Sequence, residues 1–327
     1  MVDNKNAYPQ SSAFGAAEVV PEAKRILSEI KKAVIGKDDI ILKVLICIIA
    51  KGHILIEDIP GVGKTTLAVA FSRALNLKHN RVQFTPDVLP SDVTGFSMYN
   101  KQTDSFEYKE GAAMCNLFLA DEINRTSSKT QSALLEVMEE GAVTVDSVTH
   151  KCPKPYIVIA TQNPIGSVGT QLLPESQLDR FMIRLTMGYP DINSEINIIK
   201  SRKGVNPVDT VCACADSQKI IAMQQAADNI HIDDRVLKYI ADLVNATRNH
   251  PMLKLGVSPR GTVALAQASK ALALLRSRDY VIPDDVKTMF GDVCTHRIVV
   301  NSKARIASIT PAQVIEEIKC SVPSPRI

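Results

Sequence analysis

Two glycines, a lysine and a threonine stand close together in the stretch HILIEDIPGVGKTT, His53 to Thr66. Glycines let a backbone approach a ligand closely, and the N–H groups at a strand-to-helix junction bind phosphate oxygens. In this pattern Lys64 supplies charge to the β- and γ-phosphates, and Thr65 offers a hydroxyl to Mg²⁺. The residues predicted to bind a nucleotide are Pro60, Gly61, Val62, Gly63, Lys64, Thr65 and Thr66.

One position departs from the usual phosphate-loop pattern, G-x-x-x-x-G-K-[ST]. Asp58 occupies the place of the first glycine, which normally makes the turn at the end of the strand. Aspartate tolerates turn and left-handed backbone conformations better than most residues. Because Asp58 precedes the N–H groups that bind phosphate, we expect the loop to keep its function.

An acidic pair, Asp121 and Glu122, follows the apolar run NLFLA. A Mg²⁺-assisted nucleotide hydrolase needs two such carboxylates at the end of a strand. We predict that Asp121 holds the metal ion, mostly through water, and that Glu122 polarises the attacking water.

Three further polar residues complete the candidate catalytic set. Asn163 ends the apolar stretch YIVIATQN and is predicted to orient the water or contact the γ-phosphate. Arg180, in LPESQLDRF, is a candidate arginine finger. Arg260, in GVSPRG, opens a helix and is predicted to point from the helical part of the chain toward phosphate. Any one of them alone would be an ordinary turn or surface residue, so the interpretation depends on the combination.

Apolar runs of strand length precede most of these residues, and helical patterns lie between the runs. The five runs are HILIE, RVQF, NLFLA, YIVIA and MIRLTM. Three of them are almost continuously apolar, which is typical of parallel strands covered on both faces. The alternation predicts an α/β fold with a parallel sheet. Polar–aromatic runs around turns predict two hairpin insertions, near 95–113 and 141–155.

The pattern changes after Pro190, where strand signals nearly vanish and amphipathic helices follow. The predicted organisation is a disordered lead (1–17), an α/β core (18–190), a linker (191–215) and a helical domain (216–327).

Composition excludes several classes of protein. The chain has 327 residues and a net charge of +3, so no strong field indicates nucleic acid or a membrane surface. The longest apolar run, Val44 to Ala50, is far too short to cross a bilayer. The first residues lack a signal-peptide pattern, so we expect a cytoplasmic protein. Seven scattered cysteines argue against a disulfide framework, and neither they nor the histidines show metal-ligand spacing.

In their order along the chain, these motifs resemble the Walker A, Walker B, sensor 1, arginine finger and sensor 2 motifs of the AAA+ ATPases. The resemblance covers about residues 18–327. It implies a core sheet of strand order 5-1-4-3-2 with a C-terminal all-α lid. Within AAA+ the chain is most similar to the MoxR family, on the motifs LIEDIPGVGKTTLA, FTPDVLPSDVTGF, FLADEINR, QSALLEVMEEGAVTV and VSPRG.

The resemblance adds residues that the spacing does not indicate. Val34, Ile35 and Gly36 match the segment that lines the adenine pocket, whereas Lys37 replaces a frequent glutamine and its role stays open. Asp58 matches a family trait. The two hairpins match the helix-2 insertion and the pre-sensor-1 hairpin, which in relatives project toward a central pore or the substrate face of a ring.

The resemblance also implies ATP/ADP and Mg²⁺ as cofactors and a homo-oligomer, most simply a hexameric ring. Each site would lie between subunits, with Arg180 acting in trans. The implied activity is ATP hydrolysis that remodels protein partners. Those partners would include a von Willebrand factor A domain protein and a client that the sequence does not identify.

Three alternatives stay open. A nucleic-acid motor of the MCM-like branch should carry basic hairpins, but the first hairpin is nearly balanced in charge, which makes nucleic acid an unlikely partner. A non-catalytic nucleotide switch would not need Glu122 and Arg180. A magnesium-chelatase-type ATPase subunit is a close relative, and only a partner assay would distinguish it.

Overall fold

The computed structural model describes residues 15–59, 61–163, 173–201 and 206–326. Pro60, predicted to bind nucleotide, and most of the predicted lead lie outside the described residues. The helix α1 begins at Ala16, so the lead predicted at 1–17 extends two residues too far. The Glu18 side chain accepts a hydrogen bond from the Gly15 N–H and caps this helix start.

Eleven strands occur in the described residues. They are β1 (Ile54–Glu57), β2 (His79–Gln83), β3 (Gly95–Asn100), β4 (Ser105–Glu110), β5 (Leu117–Asp121), β6 (Ala142–Val145), β7 (Val148–Lys151), β8 (Ile157–Gln162), β9 (Ile183–Leu185), β10 (Leu253–Leu255) and β11 (Val299–Val300).

The α-helices of the described residues surround these strands. They are α1 (Ala16–Lys31), α2 (Asp38–Ile49), α3 (Lys64–Ala74), α4 (Pro90–Thr94), α5 (Ser128–Glu140), α6 (Glu175–Leu178), α7 (Ile192–Ser201), α8 (Ser217–Asp228), α9 (Asp234–Arg248), α10 (Pro259–Leu275), α11 (Pro283–Cys294), α12 (Ser302–Ile306) and α13 (Pro311–Ser321).

The central sheet is parallel throughout and has the order β2-β5-β8-β1-β9. If β1, β2, β5, β8 and β9 are numbered 1 to 5 along the chain, the order read from β9 is 5-1-4-3-2. The predicted α/β architecture is therefore confirmed. Strands β5 and β8 are buried along their whole length, as expected when helices cover both faces of a parallel sheet. All carboxyl ends meet at one edge of the sheet, where ligands bind in open α/β folds.

Helix α5 shows how local sequence sets the bounds of an element. The Ser127 hydroxyl accepts a hydrogen bond from the Thr130 N–H at 3.3 Å and caps the first turn. Gly141 ends the helix in the left-handed conformation, at φ +59°. These two local signals set the ends of helix α5, and its last turn carries Glu139.

Two antiparallel hairpins stand outside the sheet, β3–β4 and β6–β7, inside the two segments predicted as insertions. The rings of Tyr108 and His150 stack at a centroid distance of 3.8 Å and join the hairpins to each other. The segment predicted as a linker, 191–215, contains helix α7 and a short 3-10 turn, Pro207–Thr210. Asp191 caps the start of α7 through its contacts with Ser194.

The C-terminal part is helical, as predicted, apart from one short ribbon that β10 and β11 form. Asp233 and Thr310 cap α9 and α13 through their side chains, which accept from backbone N–H groups of the first turn. Helix α10 packs against α8 and α11 and also against α1 and α2, so the lid shares one apolar core with the front of the chain. Across the described part of the chain, no helix is both long and apolar enough to span a membrane.

Candidate nucleotide site

The predicted phosphate loop lies at the carboxyl edge of the sheet, between β1 and α3. Gly61 and Gly63 have φ angles of +87° and +97°, a region that side chains with a Cβ rarely adopt. A Cβ at Gly61 would meet no atom within 4 Å. Both glycines are therefore needed for backbone conformation, and the loop faces open space that a phosphate can occupy.

Lys64 begins α3 and is only 7% exposed. Its ammonium donates to the Asp58 carbonyl at 2.7 Å, its one hydrogen-bond acceptor among the described residues. Burial lowers the pKa of Lys64, against the opposing charges of Asp121, Asp58 and Glu122. Two of its three N–H groups thus stay available to donate to phosphate oxygens.

The side chain of Asp58 has a structural role that the sequence does not reveal. Its Oδ1 accepts from the Ile59 N–H at 2.8 Å, and its Oδ2 accepts from the Gly188 N–H at 2.6 Å. Gly188 follows β9 and has φ +63°. Asp58 therefore ties the phosphate-loop turn to the segment that leads toward the lid, which a glycine could not do.

Lys37 also contacts the segment that leads toward the lid, on both sides of Gly188. Its ammonium donates to the carbonyls of Met187 at 2.5 Å and Tyr189 at 2.9 Å. In this structure Lys37 thus fixes the approach to the lid, where the sequence left its role open. A glutamine at this position would bring one NH₂ group without the charge.

The predicted adenine segment adjoins the phosphate loop. One cavity is lined by residues from both parts of the chain, namely Val34, Ile35, Lys37, Gly61, Val62, Gly63 and Thr66. Gly36 has φ +72°, and a Cβ there would lie 2.1 Å from the Ser194 hydroxyl oxygen, so the segment packs tightly against α7. The cavity fits the prediction of a base-binding pocket.

Thr161, on β8, positions both acidic residues at the end of β5. Its hydroxyl donates to Asp121 Oδ1 at 2.5 Å and accepts from the Glu122 N–H at 2.9 Å. Arg81 donates to Asp121 Oδ2 at 2.8 Å from the neighbouring strand. Glu122 adopts the left-handed conformation, φ +57°, which is strained for a glutamate and typical of functional sites.

The Glu122 carboxylate is held by two donors. Arg125 donates to its Oε2 at 2.8 Å, and Asn163 donates to its Oε1 at 3.1 Å. Burial raises the pKa of Glu122, but the hydrogen bonds from Arg125 and Asn163, the charge of Arg125 and a contact with Gln83 together lower it overall. Glu122 therefore stays ionised, as a proton acceptor must. Sequence reasoning missed Arg125, although its position three residues after Glu122 could have indicated it.

This lowered pKa gives a pH prediction. Arg125→Ala removes the strongest charge that favours the ionised form, so the pKa of Glu122 is expected to rise. The acidic limb of the profile of kcat against pH should move to higher pH, since activity needs the ionised carboxylate. Arg235→Ala, which removes an exposed arginine from the lid helix α9, is the matched control. An unmoved acidic limb at saturating ATP would contradict this account of Glu122.

Asn163 is fixed at the end of β8 by a pair of hydrogen bonds with Asn124. Its carbonyl accepts from the Asn124 amide at 3.2 Å, and its N–H donates to the Asn124 side chain at 3.4 Å. Its own Oδ1 is buried and has no hydrogen-bond partner within the described ranges. A buried acceptor of this kind fits a site that is completed by water or ligand.

The structure does not bring Arg180 and Arg260 to this chain's phosphate loop. The Met182 N–H, two residues after Arg180, donates to the His53 carbonyl at 2.8 Å, at the start of β1. The loop follows the other end of β1, and four strand residues alone span roughly 13 Å. Arg180 therefore lies at the edge of the sheet opposite Lys64.

Glu139, at the end of α5, brings the two predicted arginines together. Arg180 contacts its Oε2 at 3.2 Å, and Arg260 forms a short ion pair with its Oε1. Both arginine side chains are partly exposed. Arg260 is thus a neighbour of Arg180, and in this structure it does not point toward this chain's own phosphate loop.

Comparison with known proteins agrees with this geometry. A family model described as "ATPase family associated with various cellular activities (AAA)" matches residues 53–183, and an AAA lid domain matches residues 245–318. "Uncharacterized protein YeaC" of Bacillus subtilis is 45% identical over 93% of this chain and 95% of its own length. "Chaperone MoxR1" of Mycobacterium tuberculosis is 37% identical over 98% of this chain and 86% of its own.

A solved structure agrees over the same length. A crystal structure from Cytophaga hutchinsonii, assigned to an ATPase, superposes with a TM-score of 0.88 at 35% identity. The match covers 95% of this chain and 97% of that one. The likeness therefore includes the core and the lid together.

Proposed function

This chain belongs to the MoxR family of AAA+ ATPases and hydrolyses ATP, and we propose that it does so in a ring that remodels protein partners. The observation that carries the proposal is the location of Arg180 and Arg260. They form a pair at one edge of the sheet, while Lys64, Glu122 and Asn163 lie at the other. A single subunit holds both halves of a site, but too far apart to work together.

The residues at the carboxyl edge of the sheet would bind the nucleotide and activate the attacking water. Lys64 and the loop N–H groups would hold the phosphates, and Asn163 would orient the attacking water. Glu122, kept ionised by Arg125 and Asn163, would accept its proton. Thr65 and Asp121 would hold Mg²⁺, which, when bound, neutralises charge on the phosphates.

The residues at the opposite edge would complete the neighbouring site. Arg180 and Arg260 are paired only with Glu139 among the described acidic side chains. In the assembled ring, we propose, the neighbour's γ-phosphate replaces Glu139 as their partner, because a phosphate offers both arginines more charge than one carboxylate. A hexamer is the ring size that the family resemblance suggests.

The exposed hairpin suggests the kind of partner. In β3–β4, Phe96 is 51% exposed and Phe106 is 75% exposed. Its charges, on Lys101, Asp104, Glu107, Lys109 and Glu110, nearly cancel. Apolar and nearly neutral surface suits a protein better than a phosphate backbone. We therefore propose that the client is a protein and that a von Willebrand factor A domain protein acts as a second partner. The cytoplasmic location stays a prediction.

Mixed subunits test the shared site. Arg180→Ala lacks the finger but keeps its own binding half, and Glu122→Gln keeps the finger but lacks the proton acceptor. Each variant alone should be nearly inactive, and mixtures should recover turnover, because each supplies what the other lacks. ATPase rate against mixing ratio is the measurement, with the exposed lid variant Arg305→Ala as the control in place of Arg180→Ala. If no mixing ratio recovers turnover, the shared site is wrong.

A further inference from the structure

Arg297, a buried lid residue, makes contacts that the nucleotide site does not explain. We propose that Arg297 is a positioning residue that holds Arg180 and Arg260 as one unit, ready for the neighbouring subunit's nucleotide. This inference rests on the proposed function and deepens it, because it assigns to the lid the positioning of the arginine finger, Arg180.

Arg297 ends a short 3-10 turn after α11 and is 5% exposed. Its Nε donates to Asp179 Oδ1 at 2.8 Å, and one Nη donates to the carbonyls of Asp179 at 3.0 Å and Phe181 at 2.6 Å. The other Nη donates to the Met182 carbonyl at 3.0 Å. The acceptors lie on both sides of Arg180, so a lid residue fixes the backbone that carries the finger.

Asp179 extends the same network to Arg260. Its two carboxylate oxygens accept from the Ser258 hydroxyl at 3.0 and 2.8 Å. Ser258 also caps α10, since its oxygen accepts from the Gly261 N–H at 3.1 Å. Arg260 is the second residue of that helix. One carboxylate therefore joins the helix start that bears Arg260 to the residue before Arg180.

Packing adds to these hydrogen bonds. A Cβ at Gly261 would lie 2.7 Å from Arg297 Cδ, so the arginine stem fills the space against the first turn of α10. A buried guanidinium is costly unless its donors are satisfied, and here four acceptors on residues 179–182 lie within 3.0 Å. Lysine has one compact ammonium and could not reach acceptors spread along residues 179–182.

The test uses Arg297→Gln and, in case that variant fails to fold, Asp179→Asn, which keeps its size and its contact with the Ser258 hydroxyl. Each should bind ATP within about twofold of the parent protein, since the variant subunit's own loop is untouched, and lose turnover by about 10- to 100-fold. Arg276→Gln, which removes another lid arginine paired with a buried aspartate, should leave turnover unchanged.

Subunit mixing separates positioning from general destabilisation. Mixed with Glu122→Gln subunits, Arg297→Gln and Asp179→Asn should recover turnover, because the partner supplies an intact finger. Mixed with Arg180→Ala subunits, they should not, because both partners lack the same half. Recovery with Arg180→Ala, or loss of ATP binding in both variants, would overturn the proposal. If Arg180→Ala and Glu122→Gln themselves fail to complement, the proposed function falls, and this inference with it.

Discussion

Glu122→Gln should lower kcat by about 10²- to 10⁴-fold, the usual contribution of a general base. Glutamine has the same shape, and its amide oxygen can still accept a hydrogen bond from Arg125 or Asn163. It cannot accept the proton of the attacking water at neutral pH. ATP affinity should stay close to that of the parent, because phosphate binding depends on Lys64 and the loop backbone.

The measurement combines single-turnover hydrolysis with ATP binding by calorimetry. Glu316→Gln, an exposed glutamate of α13, is the matched control and should change neither. Turnover within a few-fold of the parent would remove Glu122 from the proton-acceptor role. The variant has a second use: held in ATP, it should keep the proposed ring assembled and retain partners in a pull-down.

Lys64→Ala should weaken ATP binding by at least about 100-fold, to the point of no measurable binding. A charge-assisted contact contributes about 1.5–3 kcal/mol, and Lys64 would serve two phosphates in a half-enclosed site. The ammonium sits beside three acidic residues, so its removal also leaves net negative charge facing the phosphates. Both effects act in the same direction.

The control for this variant is Lys303→Ala, which removes a lysine from the lid helix α12. Thermal unfolding of both variants checks that the fold is intact, because Lys64 is itself buried. Tight ATP binding by a folded Lys64→Ala protein would overturn the phosphate-loop assignment. Together with Glu122→Gln, this pair separates binding from chemistry: one variant should lose affinity and the other only rate.

Much of this protein could be predicted from short-range patterns. Apolar runs with polar residues at their ends placed β1, β5 and β8 and put Lys64, Asp121 and Asn163 at one edge of the sheet. Capping residues and Gly141 fixed the bounds of α5. These features follow from interactions within a few residues, which the sequence states directly. The order of the motifs identified the family, and with it the strand order that the structure confirms.

Tertiary structure alone decided how the polar residues pair. Three contacts join residues that lie far apart in the sequence. Glu139 and Arg260 are separated by 121 residues, Asp179 and Arg297 by 118, and Asp58 and Gly188 by 130. No local periodicity carries such information, because these contacts form only when segments far apart in the chain pack together. Asp58, a departure from the loop pattern in the sequence, bonds in the fold to Gly188, in the segment that leads toward the lid. Arg180 and Arg260, separate motifs by sequence, are one pair facing away from their own phosphate loop.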